Sequence, residues 1–158
     1  MARRGFLVGV SFLLWLGFVG PVTGAPGPRV EAADGATIVY LTQTPCQFLE
    51  VETVPQGYDS RSSADCERIN KETAAQRVFR TLELKSGRTI FRVTNRNVPY
   101  PLGFYLRGKG LKGYLLPGAS GGGLDPGLTK DYEVVLKPGE YLYSCPLNPT
   151  PDYPLVVR

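Results

Sequence analysis

Apolar and polar side chains alternate along residues 88–94, setting Phe91 and Val93 against Ile90 and Arg92, and a repeat of two predicts a half-buried strand. Shorter stretches rich in β-branched and aromatic residues predict further strands at 37–42, 47–52, 81–84, 103–106, 132–136 and 141–145. The period changes once. Ser62 and Ser63 suit a helix N-terminus, Asp65 and Glu67 put acid in its first turn, and the helix is predicted to run to about Gln76. Cys66, Ile69 and Thr73 recur at helical spacing on one side, while Glu67 and Lys71 lie a turn apart on another. This pattern describes a helix packed on a sheet rather than a charged functional face.

Glycine and proline set the breaks. Residues 117–123 read PGASGGG and predict a flexible connector, since the run lacks the lysine and the strand-to-helix setting of a phosphate-binding loop. Pro138 and Gly139 stand between the strands at 132–136 and 141–145 and predict a hairpin. In the second of these strands the period of two puts Tyr141, Tyr143 and Cys145 on one face, toward the interior. Short strands at this density predict an all-β fold, a two-sheet sandwich with one short helix.

The N-terminus differs from the rest. Arg3 and Arg4 precede an uncharged run at 5–22, and the small residues Gly24 and Ala25 follow, which predicts a secretory signal peptide over 1–24. That run is also about the minimum length that crosses a bilayer, so retention as a membrane tether is the alternative. Residues 25–36, rich in Pro, Gly and Ala, are expected to be a flexible leader, and 37–158 a single domain. Losing Arg3 and Arg4 from 18 basic residues leaves 16 against 14 acidic ones, a net charge of about +2. Arg107, Lys109 and Lys112 cluster, but no basic track for nucleic acid emerges.

Export would carry three cysteines into an oxidising compartment. Cys46 and Cys66 are the favoured disulfide, tying the helix to the sheet with a stabilisation of about 3 kcal/mol. Pairing with Cys145 is left open by spacing alone. The chain contains no histidine. Ser-His and Cys-His catalysis are therefore excluded, and Asp125, Asp131, Glu140 and Asp152 read as solvated turn residues, so no enzymatic activity is expected.

The run PGEYLYSC at 138–145, with the earlier TNRNVPYP at 94–101, resembles the cupredoxins, the β-sandwich family of plastocyanin and azurin. The resemblance covers about the last eighty residues and implies a Greek-key β-sandwich of cupredoxin type throughout, with the helix and its disulfide in an inserted segment at about 46–77. Cupredoxins place their first copper histidine after a similar Asn-containing turn, and their later ligands follow the pattern Cys, two residues, His, four residues, Met. The matching positions here are Tyr100, Cys145, Asn148 and Tyr153. A type 1 copper site needs two imidazoles beside its thiolate, which these residues cannot supply, so no metal and no other cofactor is expected.

Two tyrosines are then expected to fill the vacated space and leave Cys145 a buried, unreactive thiol. Pro146, Pro149, Pro151 and Pro154 would stiffen the loop without an ion. With the signal peptide's periplasmic or secreted location, the resemblance implies an accessory module that has lost type 1 copper binding and engages another exported or membrane protein. Its expected partner surface is Tyr100, Pro101, Leu102, Pro149, Tyr153 and Pro154. The alternative is a periplasmic copper-handling or electron-transfer-related protein that uses Cys145, with a second thiol, to hold Cu(I).

Overall fold

The computed structural model describes residues 26–54 and 56–158. The expected signal peptide at 1–24 lies outside them. Among the described residues ten strands form two sheets. The first orders β1 (Arg29–Ala33), β2 (Ala36–Thr44), β5 (Gly87–Asn95) and β8 (Thr129–Leu136), with the short β3 (Gln47–Phe48) also on β2. The second orders β4 (Leu82–Leu84), β10 (Tyr153–Val157), β9 (Gly139–Ser144), β6 (Leu102–Gly108) and β7 (Ala119–Leu124). β2 runs parallel to β5 and β4 parallel to β10, while the remaining pairs are antiparallel. Inward positions alternate as the period of two requires. Phe91 and Val93 from β5 meet Phe104, Leu106, Tyr141, Tyr143 and Leu155 from the facing sheet in one core.

Three expectations are corrected. The strands around 132–136 and 141–145 do not pair as a hairpin: β8 joins β5 in the first sheet, and β9 lies between β10 and β6 in the second. The reason lies in their apolar faces, since Tyr132, Val134 and Leu136 can meet Tyr141 and Tyr143 across the core only from opposite sheets. The Tyr141 hydroxyl pins this crossing, accepting from Lys137 N–H at 3.2 Å and donating to the Lys137 carbonyl at 2.9 Å.

Residues 29–33 of the expected flexible leader are a strand instead. Asp34 and Gly35 both adopt positive φ, 51° and 72°, which is the two-residue turn that folds β1 back on β2. The glycine run is likewise a strand, β7, not a flexible connector. Its lack of side chains is what lets it pack: a Cβ at Gly103 would sit 2.6 Å from the Gly121 carbonyl, and one at Gly121 would sit 3.1 Å from the Tyr132 ring.

The helix α1 (Ser63–Thr73) forms where expected, inside the segment between β3 and β4. Asp65 closes its first turn, accepting from the N–H groups of Arg61 at 3.0 Å and Ser62 at 3.1 Å, and these bonds hold its carboxyl below the usual carboxylate value. Cys66 is the helix's one buried residue and is disulfide-bonded to Cys46. The staple therefore joins α1 to the end of β2.

Candidate functional site

β9 delivers Cys145 to one end of the sandwich, where it is fully buried and is the free cysteine. Its Sγ accepts a hydrogen bond from Gly103 N–H at 3.4 Å. Burial pushes the thiol above its ordinary value of 9.0, against the pull of N–H groups from Gly103, Asn148 and Leu147, so it is held protonated. The following loop folds back on Cys145. Asn148 N–H and Thr150 N–H both reach its carbonyl at 3.3 Å, and Thr150 Oγ1 accepts from its N–H at 2.9 Å.

That turn drives Asn148 into the protein. Its Nδ2 donates to the Thr44 carbonyl at 2.9 Å, and its Oδ1 accepts from Cys46 N–H at 3.0 Å, in a fully buried setting. The Cys66 sulfur lies 3.3 Å from the same oxygen, a packing contact only, because a disulfide sulfur has no proton to give. Tyr100 covers this pair. Its hydroxyl lies 3.1 Å from Ser60 Oγ, 3.2 Å from the Ser62 carbonyl and 3.4 Å from Asn148 Oδ1, and burial raises its pKa.

Tyr153 behaves differently from the expected plug beside Cys145. Its hydroxyl turns to the other side of the insertion, donating to Glu52 Oε1 at 2.7 Å and accepting from Phe48 N–H at 3.2 Å and Arg77 at 3.3 Å. Its ring stacks among Phe48, Phe79 and Tyr143. Burial and the Glu52 carboxylate push its pKa well up, so the phenol stays neutral. The Glu52–Arg77 ion pair beneath it is 1% and 2% exposed, and Arg77 also donates to Asn70, which in turn donates to the Pro149 carbonyl. Nothing in local sequence announces this network, because Glu52 and Arg77 each read as an ordinary surface charge.

The expected partner surface is thereby redrawn. Leu102 and Tyr153 are fully buried core residues and present nothing to a partner. Pro101 is exposed, and Tyr100, Pro149 and Pro154 are half-buried. The apolar surface at this end lies instead around Pro146 and Leu147, the latter 47% exposed, beside a groove lined by Phe104, Tyr105, Gly121 and Gly122.

No protein-family model and no curated protein matches the chain. Among solved structures, it is similar to auracyanin B at a TM-score of 0.44 and 14% identity, over 86% of this chain and 99% of that one. It is also similar to a multi-copper oxidase from Pediococcus acidilactici at a TM-score of 0.39 and 12% identity, over 94% of this chain but only 30% of the oxidase. What the chain's own topology shows is an all-β sandwich of two sheets with one short helix among the described residues. Similarity at this level transfers neither a fold assignment nor a residue role.

The resemblance of 94–101 and 138–145 to cupredoxin motifs raises the question of copper, and the residues at the matching positions do not fit a type 1 ion. The chain lacks imidazole altogether. Each substitute is already engaged: Asn148 at both ends of its amide, Tyr100 on Ser60 and Ser62, and Tyr153 on Glu52. Cys145, Asn148 and Tyr100 do gather at one end, Asn148 N–H on the Cys145 carbonyl and the Tyr100 hydroxyl 3.4 Å from Asn148 Oδ1, but the Tyr153 hydroxyl does not join them.

Proposed function

We propose that this chain is an exported cupredoxin-like domain that has lost type 1 copper binding and works as a protein-interaction or accessory module. The observation that carries the reading is Asn148. At the position where a copper cupredoxin places its second imidazole, this side chain spends both polar ends on Thr44 and Cys46 and ties the loop after Cys145 to β2. The work of an ion, holding separate loops in one geometry, passes to an amide and a disulfide. The Cys46–Cys66 bond also favours an oxidising compartment such as the periplasm or the exterior. Cu(I) handling through Cys145 is the weaker reading, because the other two thiols are consumed in that bond.

The test is metal analysis and cupric titration of protein produced with its own export segment. The reading expects no retained copper and no intense visible band; stoichiometric copper with a strong blue colour would end it. For the interaction role, Leu147→Asp is expected to leave the fold intact and abolish capture of an exported or membrane protein from the native compartment. Undiminished capture would remove the Pro146–Leu147 surface from consideration.

A further inference from the structure

The opposite end of the sandwich carries a second feature that the ligand positions do not explain. Between β6 and β7 the chain makes a tight loop, KGLKGYLLPG at 109–118, with a 3₁₀ turn at Gly113–Leu115. Leu111 is 96% exposed, Tyr114 83% and Leu115 63%. These are not side chains caught in a floppy segment. The backbones of Gly108 and Gly113 touch so closely that a Cβ on either would lie 2.2–2.3 Å from the other's carbonyl, and Gly110 turns the chain at φ 74°. Lys109 N–H bonds to the Glu140 carbonyl at 2.8 Å, and Leu116 folds inward over Gly139, so the loop is fastened to the start of β9. β9 then separates it from Cys145 by about 20 Å.

We infer that this loop is a membrane-docking tip, seating Leu111, Tyr114 and Leu115 in the headgroup region of a bilayer that contains anionic lipid. Two observations select lipid as the occupant. Three apolar side chains on a narrow turn fall far short of the roughly 800 Å² per partner that a specific protein interface buries, whereas a bilayer needs no matching shape. The loop's own charge is one-sided. Arg107 and Lys109 flank the tip, paired with Asp152 and Glu140 from elsewhere, while Lys112 has no ion-pair partner among the described residues, and no carboxylate occurs anywhere from Lys85 to Leu124. Lysines beside exposed leucine and tyrosine can keep their ammonium groups at phosphate level while the apolar tips enter below.

The experiment uses the exported chain carrying Trp15→Phe and Tyr114→Trp, so that the only indole sits on the loop. Vesicles of equal parts phosphatidylcholine and phosphatidylglycerol are expected to shift its emission to the blue, and phosphatidylcholine alone to do so weakly. Adding Leu111→Ser with Leu115→Ser should weaken vesicle binding by about tenfold or more, and Lys112→Gln by about fivefold at low salt, with unchanged circular dichroism. No shift on anionic vesicles would overturn the inference. So would binding indifferent to the leucine pair, or a shift that follows protein concentration without lipid, which would mark the loop as a contact between copies.

Discussion

The buried pair of Glu52 and Arg77 offers the sharpest test of how this end of the sandwich is built. Glu52→Gln removes the carboxylate and leaves a guanidinium 2% exposed with no counter-charge. At the 3.1 Å separation of Arg77 Nε from Glu52 Oε1, two unit charges attract by about 5 kcal/mol at an effective dielectric near 20. Much of that is offset by the cost of taking both from water, so the pair contributes little over an apolar substitute, but stranding one charge costs about 3–5 kcal/mol. Against a domain stability of roughly 5–15 kcal/mol, this is a large fraction. Urea denaturation followed by circular dichroism should show the midpoint of Glu52→Gln falling by about 2 M. The double variant Glu52→Gln with Arg77→Met should recover most of the loss, because it removes the orphaned charge. If the single variant costs under about 1 kcal/mol, or the double is no better than the single, the pair is not the desolvated unit described.

Cys145 gives a pH signature. Burial raises its folded pKa above 9.0, so its contribution is fully present below about pH 9 and is lost as pH rises through the folded value; urea midpoints against pH should show an alkaline decline whose onset Cys145→Ala removes, and coincident curves would refute this. In the folded protein a thiol reagent at pH 8 should modify Cys145 only as fast as the domain opens. Replacing both Cys46 and Cys66 by serine opens a loop of sequence separation 20 and should cost about 3 kcal/mol in urea, with a much smaller change counting against the staple.

What was legible in the sequence was local. Alternation at 88–94 fixed the inward set Phe91 and Val93, the Ser62–Asp65 start fixed the helix, and the period in 141–145 sent Tyr141, Tyr143 and Cys145 to the interior. Sheet membership was not local. Proline and glycine between two strands look the same whether the chain turns back within a sheet or crosses to its partner, and only the need to face Tyr132 against Tyr143 across the core decides it. Glycine in β7 reads as a breaker until the Tyr132 ring and the Gly103 backbone are in place above it. The Asp34-Gly35 turn did carry a signal, a two-residue hairpin sequence hidden in a stretch dominated by proline and alanine. At the candidate site, Asn148 was identified by spacing from Cys145, but its partners lie 102 and 104 residues upstream, and no pattern in a single chain points to them. Tyr153 misled for a related reason, since the pair that draws its hydroxyl away from Cys145 comes from the insertion.

The two-ended seating of Asn148 also bears on whether a copper centre could be installed by mutation. Histidine introduced there would forfeit the bonds to Thr44 and Cys46 at once, at about 1–3 kcal/mol for each buried group left bare, while the remaining positions still offer no second imidazole. The first step toward a metal would thus be harmful before any later step could reward it. That barrier to a metal site can be tried directly with Asn148→His alone and in combination with Tyr100→His.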